Sequence, residues 1–246
     1  MTSESLVWIA LLMGIAAALY SSVGHGGASA YLAILALFAV APETMRPTAL
    51  ALNLVVAGLG VLRYGLAGQA NSRLLAAFVL TAAPAAFVGG TIAIAPEYYR
   101  PLVGAMLWLA AVRLFWQPTR LAARTPQPPS LAISLPAGAA LGLLAGLTGT
   151  GGGIFLSPLI ILFGWEDARK TSGVVAGFIF INSAAGLAGN VASLGGIPAE
   201  LPWLAAAVAA GALVGTWLGA HRLPKPRLLQ GLGVVLVIAG AKLVFT

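Results

Sequence analysis

Apolar runs of bilayer length constrain this chain more than any other feature. Leu74 to Ala95 and Leu201 to Ala220 contain no charged residue, and each continues for about the twenty residues that a hydrocarbon core demands. Only 8% of the 246 residues are charged, where an ordinary soluble domain carries roughly 25%. A soluble globule is therefore excluded, and an all-α polytopic membrane protein is expected. The 31 glycines and 15 prolines show no collagen period, and so apolar a chain is not a disordered one. The first apolar run is preceded by Glu4 and by no Lys or Arg. A secretory signal would open with positive charge, so this run is expected to stay in the mature protein.

Reading apolar runs between charges and Pro/Gly punctuation gives ten segments: 5–23, 28–41, 46–66, 72–94, 98–116, 131–148, 153–164, 169–192, 200–220 and 226–245. The second and seventh are short. At 1.5 Å per residue they reach roughly 21 and 18 Å, against a core of about 30 Å. Each follows a glycine cluster, Gly24-His25-Gly26-Gly27 or Gly149-Thr150-Gly151-Gly152-Gly153, where a helix breaks most easily. They read as half-helices, whether they cross or re-enter.

The net charge of +7 resolves into topology. Basic residues do not cluster as a nucleic-acid surface requires, so no nucleic-acid partner is expected. With both termini periplasmic, Arg63, Arg73, Arg113, Arg120, Arg124, Arg169, Lys170, Arg222, Lys225 and Arg227 face the cytoplasm. Arg46, Arg100 and Lys242 then lie outside, and ten against three follows the inside-positive bias.

A shift of 125 residues lays Gly24, Gly26 and Gly27 on Gly149, Gly151 and Gly152, and Gly90-Thr91 on Gly215-Thr216. With five segments per copy, an odd number, the second copy enters the membrane from the opposite face. Two inverted repeats are expected, 1–116 and 131–246, joined by a Pro-rich cytoplasmic linker at 117–130. Secondary transporters use this architecture, with broken helices meeting near the midplane.

A helix that begins inside a membrane presents unpaired N–H groups and partial positive charge. Two such ends, carried on glycines that leave room for a ligand, suit an anion. The candidate binding groups are Ser22, Gly24, His25, Gly26, Gly27, Asn53, Thr150, Gly151, Gly152, Gly153 and Asn182. The glycines equally suit close helix packing, and the asparagines a helix–helix hydrogen bond. His25 reads either as a ligand or proton-coupling group, or as a neutral histidine in a structural hydrogen bond. Arg46, Arg169 and Lys170 stand near helix starts, where they oppose the dipole, and read as an anion entrance or as topology determinants. Glu4, Glu43, Glu97, Glu166, Asp167 and Glu200 all fall at segment ends, which argues against a cation pump built on buried carboxylates.

Enzyme motifs fail by composition. There is no Gly-x-Ser-x-Gly elbow to accompany His25-Gly26-Gly27, no P-loop and no paired-histidine metal motif, and cysteine is absent. No cofactor or metal is expected.

Gly24-His25-Gly26-Gly27-Ala28, Gly149-Thr150-Gly151-Gly152-Gly153, Lys170-Thr171-Ser172 and the Gly-x-x-x-Gly series of Gly211, Gly215 and Gly219 resemble the TauE/SafE sulfite exporter family, also called toluene sulfonate uptake permeases. The resemblance covers nearly the whole chain. It implies a secondary carrier in the bacterial inner membrane for small organosulfur anions such as sulfite, sulfoacetate or other sulfonates. The first copy departs from the second by His25 in place of a small residue and by Pro47-Thr48 where the second has Thr171-Ser172. An anion channel, and more remotely an intramembrane enzyme or assembly subunit, are the competing readings. The sequence is compatible with import or export, with or without a coupled proton, and with a homodimer.

Overall fold

The computed structural model describes residues 3–115, 126–190, 197–221 and 226–245. Ten helices account for almost all of them: α1 Ser3–Ser21, α2 Ala28–Leu37, α3 Pro42–Leu66, α4 Ser72–Thr91, α5 Pro96–Phe115, α6 Leu131–Thr148, α7 Gly153–Leu162, α8 Ala168–Gly189, α9 Leu201–His221 and α10 Pro226–Phe245. Six are long and apolar enough to cross a membrane by length and composition: α1, α3, α4, α6, α8 and α9. The all-helical polytopic reading holds. Of the expected linker, residues 117–125 lie outside the described residues, as do Arg120, Arg124, Arg222 and Lys225. Only the backbone of Arg113 and Arg227 is described.

The two short helices are shorter than the apolar runs suggested, ten residues each, or about 15 Å. Their ends explain the overshoot. Ala39 turns left-handed at φ 56°, and Val40 N–H donates back to Leu35 O at 3.0 Å. Gly164, 125 positions on, does the same at φ 66°, and Trp165 N–H donates to Ile160 O at 2.9 Å. Both are left-handed C-terminal caps of the Schellman type. In α2 the cap sits inside an apolar run with no glycine, so the sequence gives no warning. At its start α3 extends four residues earlier than expected, because Pro42 fits the first helical position, where its missing N–H costs nothing.

Helix pairing repeats when α1–α5 are exchanged for α6–α10. Helices α1 and α9 pack closely, and so do their counterparts α6 and α4; α3 pairs with α8 and α5 with α10. Glycines make the closest seams. A Cβ on Gly211, Gly215 or Gly219 would strike the carbonyl oxygens of Gly14, Ala18 and Ser22 in turn. Likewise a Cβ on Gly138, Gly142 or Gly146 would strike those of Phe78, Ala82 and Ala86. Both series advance in steps of four along both chains, so each pair is parallel and backbones touch along one helical ridge.

Charges separate to the two ends of the bundle. Lys242 Nζ donates to Leu37 O at 3.0 Å, and a shared cavity gathers the end of α2 and the starts of α3 and α5 around the end of α10. That is the Arg100 end. At the other end the α3–α4 turn meets the start of α8: Asn71 Nδ2 donates to Glu166 Oε2 at 2.5 Å, and Gly173 packs on the Gln69 backbone. Gln127 N–H donates to Gly164 O there at 2.9 Å, fixing the start of α6. Arg63, Arg73, Arg169 and Lys170 belong to this second end through their helix termini. Helix α1 finishes towards it, with Gly24 against Ser172; α6 finishes towards the first, with Gly149 against Arg46. The two copies therefore run in opposite directions.

Candidate functional site

Backbone conformation matches at the first and last glycines of the two clusters and differs at the middle pair, where Gly151 is left-handed at φ 72° and Gly26 is not. Gly24 and Gly149 have φ of 78° and 83°, and Gly27 and Gly152 have φ of 95° and 73°. Only glycine enters this left-handed region freely. Gly27 caps α2 and Gly152 caps α7, and neither offers a side chain to the first-turn N–H groups. The starts of α4 and α8, at the end of the bundle, differ: Asn71 accepts from Leu74 N–H, and Asp167 accepts from Arg169 and Lys170 N–H.

Both clusters converge on one buried side chain. A Cβ on Gly26 would collide with Asn53 Oδ1, and one on Gly151 would lie 2.6 Å from Asn53 Nδ2. Ile179 touches the same two glycines, at 3.0 Å from either hypothetical Cβ, and crowds Gly153 as well. Asn53 Nδ2 donates to Ser183 Oγ at 3.3 Å, so α3 and α8 are bridged where the two turns meet. Asn53, Asn182 and Ser183 are all fully buried.

Polar atoms here exceed the protein partners available to them. Asn53 Oδ1 and both side-chain polar atoms of Asn182 are buried without a hydrogen-bond partner, as are Thr48 Oγ1 and Arg46 Nε nearer the start of α3. Leaving such a group unsatisfied costs about 1–3 kcal/mol, and natural structures keep few of them unless a ligand or function requires it. Asn182 immediately precedes Ser183 on α8, so its orphaned amide stands at the same level as the Asn53 bridge.

The described bonds of His25, Ser22 and Thr150 are local to their own turns. His25 is buried, its backbone N–H donating to Tyr20 O at 2.9 Å and its Nδ1 lying 3.1 Å from Val23 O. Tyr20 meets the imidazole edge-on at 6.1 Å between ring centres. Ser22 turns back to its own helix, donating to Leu19 O at 2.6 Å. Thr150 pairs its hydroxyl with that of Thr148 at 2.9 Å.

Arg46 is not at an open entrance. Only 6% exposed, it donates from Nη1 to Ile92 O at 2.9 Å and from Nη2 to Gly89 O and Gly90 O at 2.6 and 2.7 Å. Its charge answers the negative end of α4 instead of opposing α3. Arg169 and Lys170 are exposed at the far end of the molecule, remote from the Arg46 side, and Lys170 approaches Asp167 at 4.0 Å.

Three contributors escaped the sequence reading. Tyr31 donates its hydroxyl to Gly26 O at 2.8 Å and so holds the first glycine turn from one helical turn away. Ser183 and Ile179 contact the site from α8, 130 and 126 positions beyond Asn53 in the chain. No local pattern announces contacts of that range; the only sequence signal was their closeness to Asn182.

Comparison with known proteins agrees with this architecture. The family model described as sulfite exporter TauE/SafE matches residues 9–243. A probable membrane transporter protein of Sinorhizobium fredii is 35% identical over 242 residues, covering 97% of this chain and 98% of its own length. No solved structure matches the chain. With two opposed glycine turns inside an all-helical membrane bundle and a family match over nearly its whole length, the chain belongs to the sulfite exporter TauE/SafE family.

Proposed function

We propose that this protein is a secondary transporter that moves small organosulfur anions, such as sulfite or sulfonates, across the bacterial inner membrane by alternating access. Membership of the family and the transporter relative support transport. One observation carries the anion: the uncapped N-termini of α2 and α7 come together at Asn53. Their N–H groups and partial positive charge favour a negatively charged oxygen. The Asn182 amide, unpartnered at both polar atoms, offers a donor and an acceptor, and Asn53 Oδ1 offers a further acceptor. Described acidic side chains stay at helix ends, away from the level of Asn53.

Alternating access follows from the inverted pairing. When two copies of one fold pack in opposite directions, exchanging their conformations opens the shared site to the opposite face. The sidedness follows the inside-positive bias, with the Arg169 end cytoplasmic and both termini periplasmic. His25 contributes on one half-site only, since Thr150 stands at its counterpart. The reading is tested by loading purified protein into liposomes and measuring sulfite and methanesulfonate flux: saturable, competable uptake is expected. Flux that never saturates points to a channel, and no flux of any anion overturns transport.

A further inference from the structure

Three basic residues stand at the Arg100 end, and one of them, Arg46, caps α4. The other two, Arg100 and Lys242, line the same cavity of about 520 Å³. Its third charged group is Glu43, which leaves the lining net positive by one. The walls are apolar, with Val40, Pro96 and Leu243 among them. That volume lies in the range of small-molecule sites, about 300–1,000 Å³, which are likewise mostly apolar with a few placed polar groups.

The opposite end of the molecule is built differently. There the α7–α8 loop buries Trp165 and Glu166, each 8% exposed, while Phe163 is exposed. Trp165 stacks on Phe163 at 5.1 Å, contacts Phe78 at 5.7 Å, and Asn71 holds Glu166. The corresponding α2–α3 loop leaves Ala39, Ala41 and Glu43 exposed beside the cavity. Lys242 also binds Leu37 O, the C-terminal end of the half-helix whose other end forms the glycine turn. The cavity and the candidate site therefore share α2.

We infer that this cavity is a peripheral oxyanion-binding vestibule, in which Arg100 and Lys242 hold a small organic oxyanion with a short apolar substituent before it reaches the glycine turns. The inference extends the anion-transport reading, but its binding readout does not depend on flux. A lipid headgroup phosphate has the same oxyanion chemistry, and the lipid composition of the test separates the two sources.

The chain has no cysteine, so Ala41→Cys places a single thiol in the cavity lining. In phosphatidylcholine nanodiscs it is labelled with a sulfonate-bearing or a trimethylammonium-bearing methanethiosulfonate, each rate being normalised to free cysteine. The expected preference for the anionic reagent is about threefold or more, and methanesulfonate is expected to slow labelling. Both effects should vanish in R100Q/K242Q and persist in R100K/K242R. An unchanged preference in the neutralised variant, or no slowing by either methanesulfonate or added phosphatidylglycerol, overturns the site. Slowing by phosphatidylglycerol alone supports the oxyanion site and assigns it to lipid. Protection without flux keeps the vestibule and refutes transport; normal flux without protection does the reverse.

Discussion

Asn53 carries the most consequence of any single residue, because it touches both glycine turns and bridges α3 to α8. Asn53→Asp separates a ligand role from a packing role. A carboxylate still accepts a hydrogen bond from Ser183, so the helix contact survives. Placed about 4 Å from a bound anion, it adds a repulsion on the order of 4 kcal/mol at an effective dielectric constant of about 20. Anion uptake should fall by a hundredfold or more while the detergent-purified variant elutes as a folded monodisperse species; unimpaired uptake would remove Asn53 from the site. His25→Ala should likewise abolish uptake without loss of folded protein, as read by the same pair of assays. Ala39 tests the backbone instead. It occupies a left-handed position at φ 56° that its counterpart fills with Gly164, and the strain of a Cβ there is about 1 kcal/mol. Ala39→Gly should therefore raise the thermal midpoint by a few degrees, and a fall would show that the strain is illusory.

At the scale of elements, Arg46 ties the start of α3 to the end of α4 through three charge-assisted bonds. Arg46→Met leaves those carbonyls unanswered, at about 1.5–3 kcal/mol for each bond to a charged group. A large drop in thermal stability is expected, with only partial recovery in Arg46→Lys, since an ammonium cannot span the set as a planar fork does. Equal stability of Met and Arg variants would contradict this role. Gly142→Val should be worse tolerated still, because its Cβ would enter the Ala82 backbone; folded yield measures it. Most element boundaries were legible in the sequence, since charges and prolines punctuate the apolar runs. The end of α2 was not, because Phe38-Ala39-Val40 is apolar yet leaves the helix by a left-handed turn. Arg46 was misplaced for a related reason: its position along α3 was readable, but its partners lie more than forty residues away on α4.

For the whole molecule, the repeat was legible because both copies need glycine at the same left-handed turns, and a shift of 125 residues finds them. Which groups meet between the copies was not legible, since the pairing of α3 with α8 joins residues about 130 apart. The glycines also divide into two uses that composition could not separate. Gly26, Gly27, Gly151 and Gly152 shape the turns at Asn53, whereas Gly138, Gly142, Gly146, Gly211, Gly215 and Gly219 let parallel helices touch. The central claim is that an oxyanion is carried at the meeting point of the two turns. It is tested most directly by sulfite and methanesulfonate uptake into proteoliposomes, wild type beside Asn53→Asp and Gly152→Val, with and without a pH gradient. Saturable anion uptake by the wild type, lost in both folded variants, is expected. Equal uptake by all three proteins, or none by any, would contradict the claim.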